Sequence, residues 1–182
     1  IFFLLSKHLR THMNQKLFVG VTIFALFNIF PVAAHAEEGD LISFGFGYYN
    51  FMEKNAPAAD FRLEYRPNST IFIKNLKPWA AVEFTTDASL WVGGGLLYDW
   101  KFQDRWYLTP SIGAGTYTHG SSDQDLNFPI QFRTQLEISY EFNDSSRLGL
   151  GFSHMSNAGL NKDNPGAEVI GLYWHAPLDQ IF

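Results

Sequence analysis

Residues 152–168 contain the side-chain types of an acyl-transfer centre. His154 and Ser156 stand one residue apart, Asn157 follows, and Asn164-Pro165-Gly166 leads to Glu168. A histidine beside a serine can take its hydroxyl proton, and a carboxylate beside the histidine fixes the tautomer and stabilises the imidazolium. Asn157, Gly159 and Asn164 offer amide donors to an oxyanion. Pro165-Gly166 reads as a tight turn that holds the carrier of those donors. The same residues also fit an ordinary strand rim followed by a turn, so the elements that carry them decide between the two readings. His119 and His175 compete as the base, but neither has a serine and a carboxylate placed on its own face. No second histidine or acidic pair lies at ligand spacing from His154, so a metal site is not expected.

The chain has 182 residues and no cysteine. Lys16, the apolar run over residues 17–27 and Ala34-His35-Ala36 form the pattern of a secretory leader. Cleavage is expected after Ala36, with Met13 as the start; a retained transmembrane anchor is the other reading of that run. Residues 37–182 then make a single domain by length. They carry 10 Lys/Arg and 18 Asp/Glu, a formal charge of −8. That balance argues against a nucleic-acid partner, which needs a basic footprint. A small exported domain without disulfides needs another source of stability, and a barrel closed within a bilayer supplies one.

What recurs beyond Ala36 is alternation with period two. It is clearest over residues 130–142. Ile130, Phe132, Thr134, Leu136, Ile138, Tyr140 and Phe142 share one face, and Gln131, Arg133, Gln135, Glu137, Ser139 and Glu141 share the other. Residues 41–51, 60–66, 78–86, 90–101, 106–119, 147–154 and 167–178 alternate in the same way. Ile71-Phe72-Ile73 offers a further short extension. These eight segments predict an all-β fold: an eight-stranded antiparallel transmembrane β-barrel of the bacterial outer membrane, with Gly-rich inward faces and a packed lumen. Trp79, Trp100, Trp106 and Tyr107 fall near segment ends, where interfacial aromatic girdles occur. The competing architecture is a soluble lipocalin-type barrel with its apolar face inside.

With the first strand leaving the periplasmic side, residues 102–105 and 143–146 become short inner turns. The connections over 119–128 and 157–166 then lie at the external end. Strand parity sharpens the chemistry. His154 and Ser156 continue the face of Leu148, Leu150 and Phe152, and Glu168 shares the face of Ile170, Leu172 and Trp174. Neighbouring strands are ~4.8 Å apart, so residues 154 and 168 can touch if they pair. All three side chains are then expected on the lipid-facing wall, where ionisable groups are costly and signal function.

Phe152-Ser153-His154-Met155-Ser156-Asn157, followed by Asn164-Pro165-Gly166-Ala167-Glu168, resembles the lipid A 3-O-deacylases of the PagL family. The resemblance extends to chain length and strand number over residues 37–182. It implies His154 as general base, Ser156 as nucleophile and Glu168 as the third member of a catalytic triad. It ties Asn164 and Asn157 to the oxyanion site and matches Phe132 to an aromatic residue lining the active site. Two positions further on, where the family pattern leads one to expect an acidic residue, this chain has Thr134. The implied activity is hydrolysis of the ester that holds the 3-hydroxyacyl chain at position 3 of lipid A, in lipopolysaccharide of the outer membrane. The protein would act as a monomer or homodimer without a cofactor. A non-catalytic outer-membrane barrel, an adhesin or a structural protein, is the alternative that the same strands allow.

Overall fold

The computed structural model describes residues 39–52, 57–122 and 125–181. The expected leader, residues 1–36, lies outside them. Among the described residues nine strands follow one another: β1 (Leu41–Tyr49), β2 (Ala58–Arg66), β3 (Leu76–Thr85), β4 (Leu90–Tyr98), β5 (Trp100–Gln103), β6 (Trp106–Thr118), β7 (Ile130–Glu141), β8 (Arg147–Ser156) and β9 (Ala167–Pro177). A short 3-10 helix over Leu178–Gln180 closes the described chain.

All neighbours pair antiparallel. The order is β4-β3-β2-β1-β9-β8-β7-β6-β5, and β4 also pairs with β6, which closes the ring. The strands β4 and β5 form one stave. Leu97 faces Ser111 and Trp100 faces Leu108 in unbroken register along β6. The interruption falls at Asp99, a buried residue whose carboxylate receives both Arg147 Nη1 contacts at 3.0 Å and the Thr109 hydroxyl at 3.2 Å. The barrel therefore has eight staves, as the eight alternating segments predict.

Parity decides inside from outside. Phe44, Phe46, Leu136, Leu148, Leu150, Phe152 and Leu172 are exposed, whereas Arg62, Glu64, Glu83, Arg133, Glu137 and His175 are buried. An apolar exterior around a charged interior is the membrane arrangement and the inverse of a lipocalin. The interior is filled. Trp79 and Trp91 pack at 5.9 Å between ring centroids, and the Arg62 guanidinium lies 4.9 Å from the Trp79 ring. Gly113 and Gly115 make room for those two indoles, because a Cβ at either would come within 2.6 Å of a ring carbon. Glu137 receives Arg66 at 2.8 Å, Arg66 also holds Glu64, and Arg133 pairs with Glu83. In these pairs each buried charge is offset by a partner, as burial requires.

Three sequence expectations change. Trp79 and Tyr107 are not girdle residues, because their odd positions turn them into the lumen, where they are 1 % and 8 % exposed. The band at the end holding the β9 terminus consists instead of Trp100, Phe102, Trp106, Tyr140, Phe142 and Trp174, linked by ring contacts of 5.2–6.1 Å. Ile71-Phe72-Ile73 does not extend a strand. Phe72 adopts φ 64°, and Leu76 O accepts from Ile71 N, so the chain turns there.

Candidate active site

The strands β8 and β9 leave and enter at the barrel end opposite the start of β1 and the end of β9, and the 157–166 connection joins them. Their register sets His154 directly opposite Glu168 and Met155 opposite Ala167. Met155 and Ala167 point inward and are buried at 2 % and 0 %, which pins the parity of the polar row beside them. His154 Nδ1 lies 2.9 Å from Glu168 Oε1, with 43 % and 18 % of the two side chains exposed. With Nδ1–H donated to the carboxylate, Nε2 remains as the acceptor on the far side of the ring.

Ser156 lies two residues along β8 from His154, a Cα step of ~6.6 Å, and is partly exposed. On its other flank β7 places Phe132 opposite Ser156 and Thr134 opposite His154. His154 is thus bracketed by Thr134 and Glu168, and Ser156 is bracketed by Phe132 on β7 and the 166 position leading into β9. The structure brings His154 and Glu168 into contact; Ser156 Oγ hydrogen-bonds no described residue. Nucleophile–base bonds are commonly longer before substrate binds.

The connection is tied down by Asn157, which is fully buried. Its N–H donates to Asn164 Oδ1 at 2.9 Å, its Nδ2 donates to Asp163 O at 2.8 Å and Leu126 O at 3.3 Å, and its Oδ1 accepts Gly159 N–H at 2.9 Å. Asn161 Nδ2 adds a bond to Asn127 O at 2.8 Å, joining this connection to the neighbouring 119–129 loop. The amides of Asn157 and Gly159 are therefore engaged within the loop. Asn164, whose Oδ1 accepts from the N–H of the residue next to Ser156, has no partner for its Nδ2 donor among the described residues.

The Pro165-Gly166 pair does something other than turn the chain. The left-handed residues of this connection are Ala158 (φ 52°) and Gly159 (φ 80°). Gly166 is needed for space, since a Cβ there would meet His154 Cε1 at 2.5 Å. Neither Gly166 beneath the imidazole nor the loop brace through Leu126 O can be found from the sequence, because both depend on which segments pack together.

His175 also has an acid and a hydroxyl beside it, contrary to the expectation from its own strand. Ser43 Oγ on β1 lies 2.6 Å from Nδ1, and Glu137 Oε1 on β7 lies 2.8 Å from Nε2. His175 and Glu137 are 0 % exposed and Ser43 is 1 % exposed, so no substrate reaches them and the group belongs to the lumen network. His119 lies 3.9 Å from Asp125, and both side chains are exposed. Among the described residues, no three His, Asp or Glu side chains group closely enough to hold a metal ion.

Charged lumen, apolar exterior and a His–Glu pair set in the outward row define a membrane-type barrel with an ionisable pair on its outer wall. A family model described as lipid A 3-O-deacylase (PagL) matches residues 70–177, a range that contains every candidate site residue. This chain belongs to that family. The lipid A deacylase PagL of Bordetella bronchiseptica is 28 % identical over 96 residues, which is 52 % of this chain and 54 % of that protein. The match thus spans about half the length of this curated relative. The fold is similar to the crystal structure of the outer membrane enzyme PagL, with TM-score 0.56 and 18 % identity over 76 % of this chain and 99 % of that one. It is also similar to a de novo designed transmembrane β-barrel, with TM-score 0.52 and 10 % identity over 77 % and 98 %.

Proposed function

We propose that this protein is an outer-membrane esterase that removes the 3-O-linked 3-hydroxyacyl chain from lipid A. The observation that carries the reading is the 2.9 Å contact between His154 Nδ1 and Glu168 Oε1 in the same outward row as Leu148, Leu150 and Phe152. A carboxylate–imidazole pair has little reason to stand among residues that face hydrocarbon unless it acts there. Lipid A forms the outer leaflet, and its ester bonds lie just below the headgroups. A site on the outer wall at the external end meets the ester without extracting the lipid.

Ser156 is the nucleophile. His154 Nε2 takes its hydroxyl proton as Oγ attacks the ester carbonyl, and Glu168 stabilises the imidazolium. The oxyanion is met by the free Nδ2 of Asn164, held in place by Asn157 N–H. Collapse releases the sugar hydroxyl, which takes its proton from His154. Water, deprotonated by the same histidine, then frees Ser156 from the acyl chain. Phe132 lines the approach to Ser156 from β7. The reaction consumes one water and needs no cofactor. The protein works in the membrane as a monomer or homodimer after removal of residues 1–36.

The test is mass analysis of lipid A from cells that express the protein. Loss of one 3-hydroxyacyl chain, abolished by Ser156→Ala, supports the reading. An unchanged lipid A profile with folded barrel in the membrane overturns it.

A further inference from the structure

The outer wall is hollowed on the Glu168 side of the site. A groove of about 560 Å3 runs from β8 across β9 and β1 to the upper ends of β2 and β3, lined by Leu150, Ile170, Leu172, Tyr48, Ala59 and Thr86 among others. Its depth has a simple origin in the cross-strand rows. One row carries large side chains throughout, with Leu172 opposite Phe46, Phe46 opposite Phe61 and Phe61 opposite Phe84. In the adjacent row Ile170 faces Tyr48, and Tyr48 faces Ala59. A methyl group stands at Ala59 where the neighbouring row has a phenyl ring. Thr86 Oγ1, next to it, already accepts Ala59 N–H at 3.2 Å, so the polar atom at that end has its partner.

The groove lies to one side of Ser156, beyond the His154–Glu168 pair. Ile170 shares the outward face of β9 with Glu168, two residues on, whereas Ser156 sits level with the 166 position. Four residues of strand separate that level from Ile170, roughly 13 Å, and the His154–Glu168 pair spans the wall between them. What reaches this part of the wall is hydrocarbon, because the residues around it are the exposed apolar ones.

We propose that the groove binds a second acyl chain of the lipid molecule under attack, one that is not cleaved. The proposal rests on the esterase reading above. Several chains descend from one lipid A headgroup, so a chain lodged beside Glu168 fixes the headgroup at a second point and aims the ester at Ser156. Remote binding of this kind is converted into positioning at the reacting bond.

Ala59→Phe fills the groove from β2, and Thr86→Leu crowds it from the β3 end. Both variants are to be assayed on fully acylated lipid A and on a glucosamine bearing a single 3-O-(3-hydroxyacyl) chain, with folding checked by heat-modifiable migration on gels. The proposal expects kcat/KM on lipid A to fall roughly tenfold or more, while the single-chain substrate is cleaved within about twofold of the wild-type rate. Variants that match wild type on lipid A, or that lose equally on both substrates, overturn the groove assignment. If Ala59→Phe fails to fold, Thr86→Leu alone decides. Wild-type protein that cleaves neither substrate overturns the esterase reading instead.

Discussion

Gly166 lies under His154 so closely that a Cβ on it would stand 2.5 Å from the imidazole Cε1 and 3.3 Å from Nδ1. The glycine thereby sets how near β9 comes to the ring, and with it the 2.9 Å contact to Glu168. Gly166→Ala is expected to push the ring aside without unfolding the barrel. A displacement of about 1 Å costs on the order of 10²-fold in rate. Mass spectrometric assay of lipid A conversion checks this; a wild-type rate would show that the ring escapes by rotating.

Glu168 Oε1 lies 2.9 Å from His154 Nδ1, and among the described residues its carboxylate has no other side-chain partner. Glu168→Gln keeps the shape but favours the wrong tautomer, and the rate should fall by roughly 10²- to 10⁴-fold. The barrel should still fold, since Glu168 lies outside the lumen network. Equal activity of Glu168→Gln and wild type would remove the carboxylate from the mechanism.

Asn157 and Asn164 have different jobs and should fail differently. Asn164→Ala removes the free amide and is expected to cost about 10²- to 10³-fold in kcat with KM little changed. Asn157→Ala removes three side-chain hydrogen bonds that brace the 157–166 connection. It should also make that connection cleavable by added protease, which limited proteolysis of the purified barrel would reveal. Identical behaviour of the two variants would contradict the division of roles.

Ser43 touches His175 and Ser156 stands two residues from His154, and only one of these two serines is expected to matter for chemistry. Ser43→Ala leaves lipid A deacylation near wild type, because His175 and Glu137 are sealed in the lumen. Ser156→Ala abolishes it. The reverse outcome in the same lipid A assay would move the site into the barrel.

Glu137 is the hub of the lumen. It receives Arg66 at 2.8 Å, Gln135 at 3.1 Å and His175 at 2.8 Å. Glu137→Ala leaves the Arg66 guanidinium with one fewer partner in a buried site, a change that typically costs about 3–5 kcal/mol. Urea unfolding from lipid vesicles should show the loss, while lipid A deacylation by the remaining folded protein is expected to match that of wild type.

The strand pattern was legible from residue types because a barrel wall separates two solvents. Every second residue meets hydrocarbon, so Leu148, Leu150 and Phe152 alternate with Gly149, Gly151 and Ser153, and the β8 segment could be read directly. The outward position of His154 followed from the same parity, whereas its pairing with Glu168 stayed a condition that the β8–β9 register fulfils. Trp79 and Tyr107 escaped that reading because being near a strand end suggested a girdle, although their odd positions already pointed inward. What the sequence could not hold is contact between segments distant along the chain. The Ser43–His175–Glu137 group joins three strands, the Asn157 brace joins two loops, and Gly166 matters only because β9 brings it beneath an imidazole on β8. Alternation encodes which way a side chain points; what it touches depends on strand order and register, which only the closed barrel sets.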